Sequence, residues 1–497
     1  MAATPVILDA NGNPIQREQT QALTRQSGYV THFRNRLRAK YDAAQTTDEN
    51  ERHWANADYL SPNSAMSPGI RRRCRSRARY EAQENNSYAK GMILTLANDL
   101  ISTGPRLQLR TPDTAANQRI QEAFHDWSDE VRLAEKLRTM RVAKAVDGEA
   151  FALFTKNERL MSPVSLDVRP LEADHFDAPW GHLAGEDHGI QFDAAGNPLS
   201  YWMYQQHPGG DTFANVNGKG EWVDERYVLH CFRCDRPEQV RGLTEIVTAL
   251  PLFAMLRRFT LATLAAAETA ADFAAVMRTN SSASIEAESL AQDQWFDAIP
   301  LEYRAMLTLP NGWDITQLKA EHPTTTYAMF KGEIINEIAR CLNMPYNVAA
   351  ADSSDYNYAS GRMDHQVYYR SIEVEQSQWE CCILDRIFRA WLDEASLVSG
   401  LIPNGLGPFA DWPWRWFWEG PKHVDPQKEA NAQATRLLNH TTTYAEEYAR
   451  RGLDWEAQLR QRADELALMR ELEIPIEGDA SGQAQEQQQD EATAAAN

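Results

Sequence analysis

The 497-residue sequence lacks most marks of a membrane, secreted or self-powered protein. Its longest apolar stretches, such as Leu261 to Ala267, fall short of the roughly 20 residues a spanning helix needs, so no membrane partner is expected. The opening MAATPVILDANGNP has neither a basic stretch nor an apolar core, which leaves no secretory signal to read and implies synthesis in the cytoplasm. Six cysteines in so long a chain make no disulfide scaffold and fit a reducing compartment. Positive charge is also in deficit. A formal net charge of -20 argues against tight phosphate binding, which needs clustered Lys and Arg to displace counterions.

Catalytic signatures are missing as well. No glycine loop ends in Gly-Lys-Ser/Thr, and Gly218-Lys219 is followed by Gly220, so no ATP site is expected. Neither a G-x-S-x-G elbow nor an H-E-x-x-H helix occurs. No repeat of solenoid period is present. The chain is expected to be no enzyme and to need no cofactor.

What is present is a long, ordinary globular composition, 43% hydrophobic and 24% charged, enough for more than one structural region. A helix is predicted from Arg71, with Ile93, Leu96, Ala97 and Leu100 on one face and a stop at Gly104-Pro105. Residues 117 to 147 repeat the pattern around Ile120, Phe124, Trp127 and Leu137 until Gly148 breaks it. VSLDVRP, GIQFD and YWMYQQ then read as short strands between turns. From Arg241 to Arg278 the spacing of Leu243, Ile246, Leu250, Phe253 and Leu256 predicts a helix of about 50 Å, kinked at Pro251. Further helices are predicted over 326 to 342 and 362 to 398. Asp425-Pro426, then Thr443 with Glu446, give helix starts, and Gly452 gives a helix end. The reading is an α+β chain, mainly helical.

A few clusters invite a chemical reading. Cys231 and Cys234, beside His230, have the spacing of half a zinc site, but no second pair exists because Cys381 and Cys382 are adjacent; free buried thiols are expected and no metal. His182, His188 and His207 near Asp187 and Asp193 fit no ligand spacing and read as a solvated loop. Arg71, Arg72, Arg73, Arg75, Arg77 and Arg79 form the densest positive run, suited first to pairing with acids inside a subunit or across an interface and second to DNA. Trp412, Trp414, Trp416 and Trp418 alternate as on a strand with one aromatic face, expected to pack rather than stack on bases.

Four blocks, in order, resemble the lambda-type family of tailed-phage portal proteins. The first is RRRCRSRARYEAQENNSYAKGMILTLANDLISTGPRLQ, with Asn85, Asn86, Tyr88, Gly91, Asn98, Gly104 and Pro105. The second runs from Asp147-Gly148-Glu149 through LEADH to Arg236-Pro237, Gln239, Arg241 and Gly242. The third is LNMPYNVAAADSSDYNYASGRM, with Pro345, Asp352, Asn357, Tyr358, Ser360 and Arg362. The fourth is WEGPKHVDPQKEANA, with Asp425-Pro426 and Glu429, followed by Gly452-Leu453-Asp454.

The resemblance implies a portal fold with wing, stem, clip and crown regions in a ring, typically of twelve subunits, around a channel at one capsid vertex. It implies double-stranded DNA passing without sequence preference, docking of the terminase large subunit, head-tail connector proteins, and contact with the major capsid protein or scaffold. On this mapping 1–70 is an arm, 71–237 wing, 238–278 a stem helix and 279–325 the clip. Residues 326–400 hold a second stem helix, channel loop and wing return, 401–470 the wing and crown helices, and 471–497 a disordered tail. Lys331, Arg340 and Arg362 flank the loop from Met344 to Gly361 and become candidates for facing the channel. The competing expectations are a virion-associated hydrolase and a minor head protein that forms no vertex ring.

Overall fold

The computed structural model describes residues 51–177, 188–210, 219–271, 275–279, 313–317, 324–354, 356–403, 405–420, 426–449 and 451–474. The chain divides into two units, Met1–Ser61 and Pro62–Asn497. The described part of the first is a turn at 51–56 followed by exposed coil.

The second unit opens with a single helical turn at Pro62–Ala65, followed by α1 (Pro68–Arg79), a wide π turn over Tyr80–Asn85, and α2 (Ser87–Ile101). Asn86 separates them: its extended backbone ends one helix, and its Oδ1 accepts from the Tyr88 and Ala89 amides to start the next. Met92, Ile93, Leu96, Ala97 and Leu100 bury the inner face of α2, as their spacing predicts. β1 (Arg106–Leu109) follows, then α3 (Thr114–Glu130), capped by Asp113, and α4 (Leu133–Asp147).

α4 ends where Gly148 takes φ +91°, and β2 (Glu149–Lys156) begins at once. β2 lies between β3 (Leu166–Leu171) and β7 (Val228–Phe232), antiparallel to both. A second three-stranded antiparallel sheet joins β4 (Ile190–Phe192), β5 (Pro198–Tyr204) and β6 (Gly220–Asp224). Phe151, Phe176, Tyr201 and Val228 form a small apolar cluster of their own, separate from the main core.

α5 (Leu250–Ala271) is shorter than expected. Its 22 residues span about 33 Å. Residues 241 to 249 form turns rather than helix, because the Glu245 amide and the Thr244 hydroxyl bond to the Ala145 carbonyl instead of continuing a helical ladder. Pro251 therefore falls in the first turn, where a missing N–H costs nothing, and introduces no mid-helix break. β8 (Ala275–Thr279) pairs antiparallel with β9 (Trp313–Gln317), and α6 (Thr324–Arg340) returns beside α5, with Phe259 stacked on Tyr327. The expected clip falls mostly outside the described residues.

α7 (Tyr346–Ala350) lies in the expected channel loop, and α8 (Tyr358–Trp379) starts on an Asn357 cap. The long helix expected to 398 is interrupted by a π turn at Glu380–Leu384 before α9 (Asp385–Ala395). β10 (Trp414–Phe417) pairs with β1, so the tryptophan run closes on the chain's early segment. Trp412 and Trp416 are buried, and the indole N–H groups of Trp414 and Trp416 both donate to Asp385, at 2.8 and 2.9 Å. α10 (Pro426–Leu438), α11 (Tyr444–Ala449) and α12 (Trp455–Glu471) complete the described chain, with Thr443 accepting from the Glu446 amide as the capping pattern predicts. Residues 471–474 apart, the expected disordered tail lies outside the described residues.

One expectation about α5 needs correction. Leu250–Glu268 is long and apolar enough to cross a membrane by length and composition, and only 11% of it is buried. The run was hidden by Arg257 and Arg258 at its centre, a pair that would be costly in hydrocarbon; Arg257 instead pairs with Glu81 at 3.0 Å.

Candidate functional site

Two glycines organise the interior around the α4–β2 junction. A Cβ on Gly242 would lie 2.0 Å from the Gly148 carbonyl oxygen, and one on Gly148 would lie 2.3 Å from the Leu243 carbonyl carbon. Only bare backbone permits that approach. It brings the segment from Arg241 to Glu245 against the α4–β2 junction and seats two buried ionic clusters.

The first cluster centres on Glu149, which is fully buried. Arg241 grips it bidentately at 2.7 and 2.8 Å, and His230 Nε2 lies at 3.1 Å. Arg241 also donates to the carbonyls of His188 and Phe176, at 2.7 Å each, and lies over the Phe151 ring. Burial alone would raise the Glu149 carboxyl, but Arg241 and His230 hold it well below the usual range. Burial drives His230 the other way, below its ordinary value.

The second cluster joins α4 to α8. Arg141 and Lys144 reach both Glu245 and Glu375, at distances from 2.6 to 3.0 Å. Burial opposes the charge on Glu245, yet Arg141 and Lys144 keep it ionised below its ordinary value.

The predicted arginine run divides. Arg71 and Arg75 are buried: Arg71 bonds to His188 and Asp177, and Arg75 to Asp174 at 2.6 Å and Glu149 at 3.4 Å. Arg79 clamps Asp147 with two bonds, at 2.7 and 2.8 Å, and Arg72 reaches Asp177 at 2.8 Å. Arg73 and Arg77 remain exposed. Four of the six are thus engaged with acids of the same chain, on the α1 face that meets α4 and β2.

Lys331 is half-buried over the rings of Tyr88 and Tyr327, at 4.9 and 5.8 Å. Arg340 and Arg362 are exposed, at the end of α6 and the start of α8, so the three cations do not converge on one point. Cys231 is buried, whereas Cys234 is exposed and its thiol bonds to the Arg236 carbonyl. The expectation of two buried thiols holds for Cys231 alone, because β7 ends at Phe232 and Cys234 lies in the loop beyond. The polar histidine loop is also more anchored than expected, since His188 is bonded by Arg71 and its carbonyl by Arg241; His182 and Asp187 lie outside the described residues.

Glu172, Asp174 and His207 bring three potential metal-ligating atoms within 4.8 Å of one another. Arg79 already contacts both carboxylates and Arg75 contacts Asp174, so two guanidinium groups occupy the place of a cation.

The buried clusters escaped the sequence reading, although Asp147-Gly148-Glu149 and Arg241-Gly242 stood out as a pattern. A usable signal was present: in MRVAKAVDGEAF four charges sit among apolar residues, and buried charges need partners.

The sequence matches the profile of the family described as "Phage portal protein, lambda family" over residues 48–376. A "Probable portal protein" of Halomonas phage phiHAP-1 is 23% identical over 299 residues, covering 58% of this chain and 56% of that one. The chain thus spans about half the length of this relative. Among solved structures, a chain from the neck of an empty gene transfer agent particle superposes with TM-score 0.45 and 13% identity, covering 79% of this chain and 94% of that one. An HK97-family portal protein from Corynebacterium diphtheriae gives 0.27 and 13%, over 60% and 83%. With the profile running through α8, this chain belongs to the lambda family of phage portal proteins.

Proposed function

We propose that the chain is the portal subunit itself: copies close into a ring, of twelve, at one capsid vertex of the virion, and the genome passes through its channel during packaging and ejection. The observation that carries this is the family match over residues 48–376, which includes the elements from α1 to α8. The structure supports it through surfaces one copy leaves uncovered. Leu261 and Leu264 on α5 and Met329 and Phe330 on α6 are all more than half exposed, as are Met363, Val367 and Val374 along α8. Apolar residues left uncovered along three helices are what an assembly interface would cover.

In this reading α5 and α6 are the stem helices, with β8 and β9 on the clip side, the wing built from α1 to β7, and the crown from the C-terminal helices. The terminase large subunit supplies the ATP-driven motion, head-tail connectors bind after packaging, and the capsid protein or scaffold surrounds the ring. The net charge of -20 suits a conduit that repels duplex DNA rather than a clamp. Arg362 is the foremost channel-facing candidate, because it is exposed, has no partner among the described residues and follows the loop; Lys331 is held by two tyrosines and Arg340 lines a cavity. Assembly takes place in the host cytoplasm. A phage carrying a stop codon early in this reading frame should build heads without DNA; heads filled with DNA would refute the proposal.

A further inference from the structure

A cavity of about 460 Å³ opens beside the second ionic cluster, within the size range of about 300–1,000 Å³ that small ligands use. It lies between the ends of α4, α6 and α8, and its charge balance is unlike the rest of this acidic chain. Arg141 and Lys144 line it and are neutralised by Glu245 and Glu375. Arg233 also lines it and is taken up by Asp235 at 2.7 Å. Arg340 and Arg370 complete the set, exposed, with no ion pair or hydrogen bond among the described residues. Two positive charges are therefore left over.

An anion in the cavity would engage the two free arginines together, since guanidinium groups present paired donors suited to phosphate oxygens.

We propose that this cavity binds a small phosphate-bearing anion of the inorganic phosphate or diphosphate class, with Arg340 and Arg370 as its contacts. A duplex is too wide to enter; the ligand is a free small molecule. The cavity shares Val367 and Val374 with the exposed α8 stripe, but anion binding is read by calorimetry and ring closure by microscopy, so the two readings fail separately.

Isothermal titration calorimetry of the full-length protein with sodium diphosphate tests it. Saturable binding is expected, weakening with added salt and falling at least tenfold in Arg340→Ala/Arg370→Ala, a pair of exposed sites that leaves the buried cluster intact. Arg462→Ala, an exposed site on α12 far along the chain, should bind as the parent does. Absence of saturable binding, or equal binding by the double variant, overturns the proposal. So does binding of a duplex oligonucleotide that needs Arg340 and Arg370 while diphosphate and phosphate do not bind.

Discussion

The interior around β2 and the α5–α6 pair handle their difficult residues in opposite ways. Around β2, charges that water would normally solvate are buried and matched inside one chain: Glu149 with Arg241, Asp147 with Arg79, Glu245 with Lys144. Along α5 and α6, apolar side chains that should be buried are left in the open, with only the Phe253 and Leu256 end of α5 and the Ile335, Ile338 and Ala339 end of α6 in the core. The first region is complete as a monomer. In the proposed ring, the second is completed by another copy. A ring subunit needs both, one part rigid before assembly and one part finished by it.

The comparison breaks most visibly if the buried charges are unmatched. Arg241→Ala leaves Glu149 buried without its main partner and should cost about 3–5 kcal/mol, read by chemical denaturation of the isolated subunit. Loss below 1 kcal/mol would mean the cluster is wetter than its burial implies. Gly242→Ala should be at least as damaging, because its Cβ has no room against the Gly148 carbonyl. A soluble variant with the parent's melting temperature would contradict the close approach.

The converse change should spare the fold and cost the assembly. Leu261→Glu with Leu264→Glu is expected to abolish rings in native mass spectrometry while subunit stability shifts by no more than about 0.5 kcal/mol per exposed site. Intact rings would move the interface elsewhere.

Acid should affect the two regions unequally. Glu149, Glu245 and Asp174 are held below their ordinary values in the folded chain, chiefly by Arg241, Arg141 and Arg75 against the opposing effect of burial. A depressed carboxyl contributes stability that is present above its unfolded value and lost as pH falls through the folded one. His230, lowered by burial, has the same sign, whereas Asp99 and Asp147, raised by burial, offset part of it. The denaturation midpoint should therefore drop as pH falls below about 4.5, with a shallower drop in Glu149→Gln. A parallel drop in that variant would place the titration elsewhere. The smallest structural effect belongs to Arg362→Glu, which should leave rings intact and impair packaging; normal DNA packaging would remove Arg362 from the channel.

Much of the fold was legible because burial follows periodicity. The face of α2, the strands at VSLDVRP, GIQFD and YWMYQQ, and the alternating tryptophans behave as their spacing requires. The long helix expected from Arg241 failed for a tertiary reason: Leu243 and Ile246 keep helical spacing, but the Gly148–Gly242 approach and the bonds to Ala145 outcompete a further two turns. The arginine run showed that acids would be needed without showing which, since Asp147, Asp174 and Asp177 lie 68 to 106 residues away. The cavity was invisible because Arg141, Arg340 and Arg370 come from three helices that only the fold assembles.

Electron microscopy of the purified full-length protein tests the central claim most directly. Closed rings with a central hole, lost in the Leu261→Glu/Leu264→Glu variant, are the predicted result, and compact monomers at every concentration would contradict it.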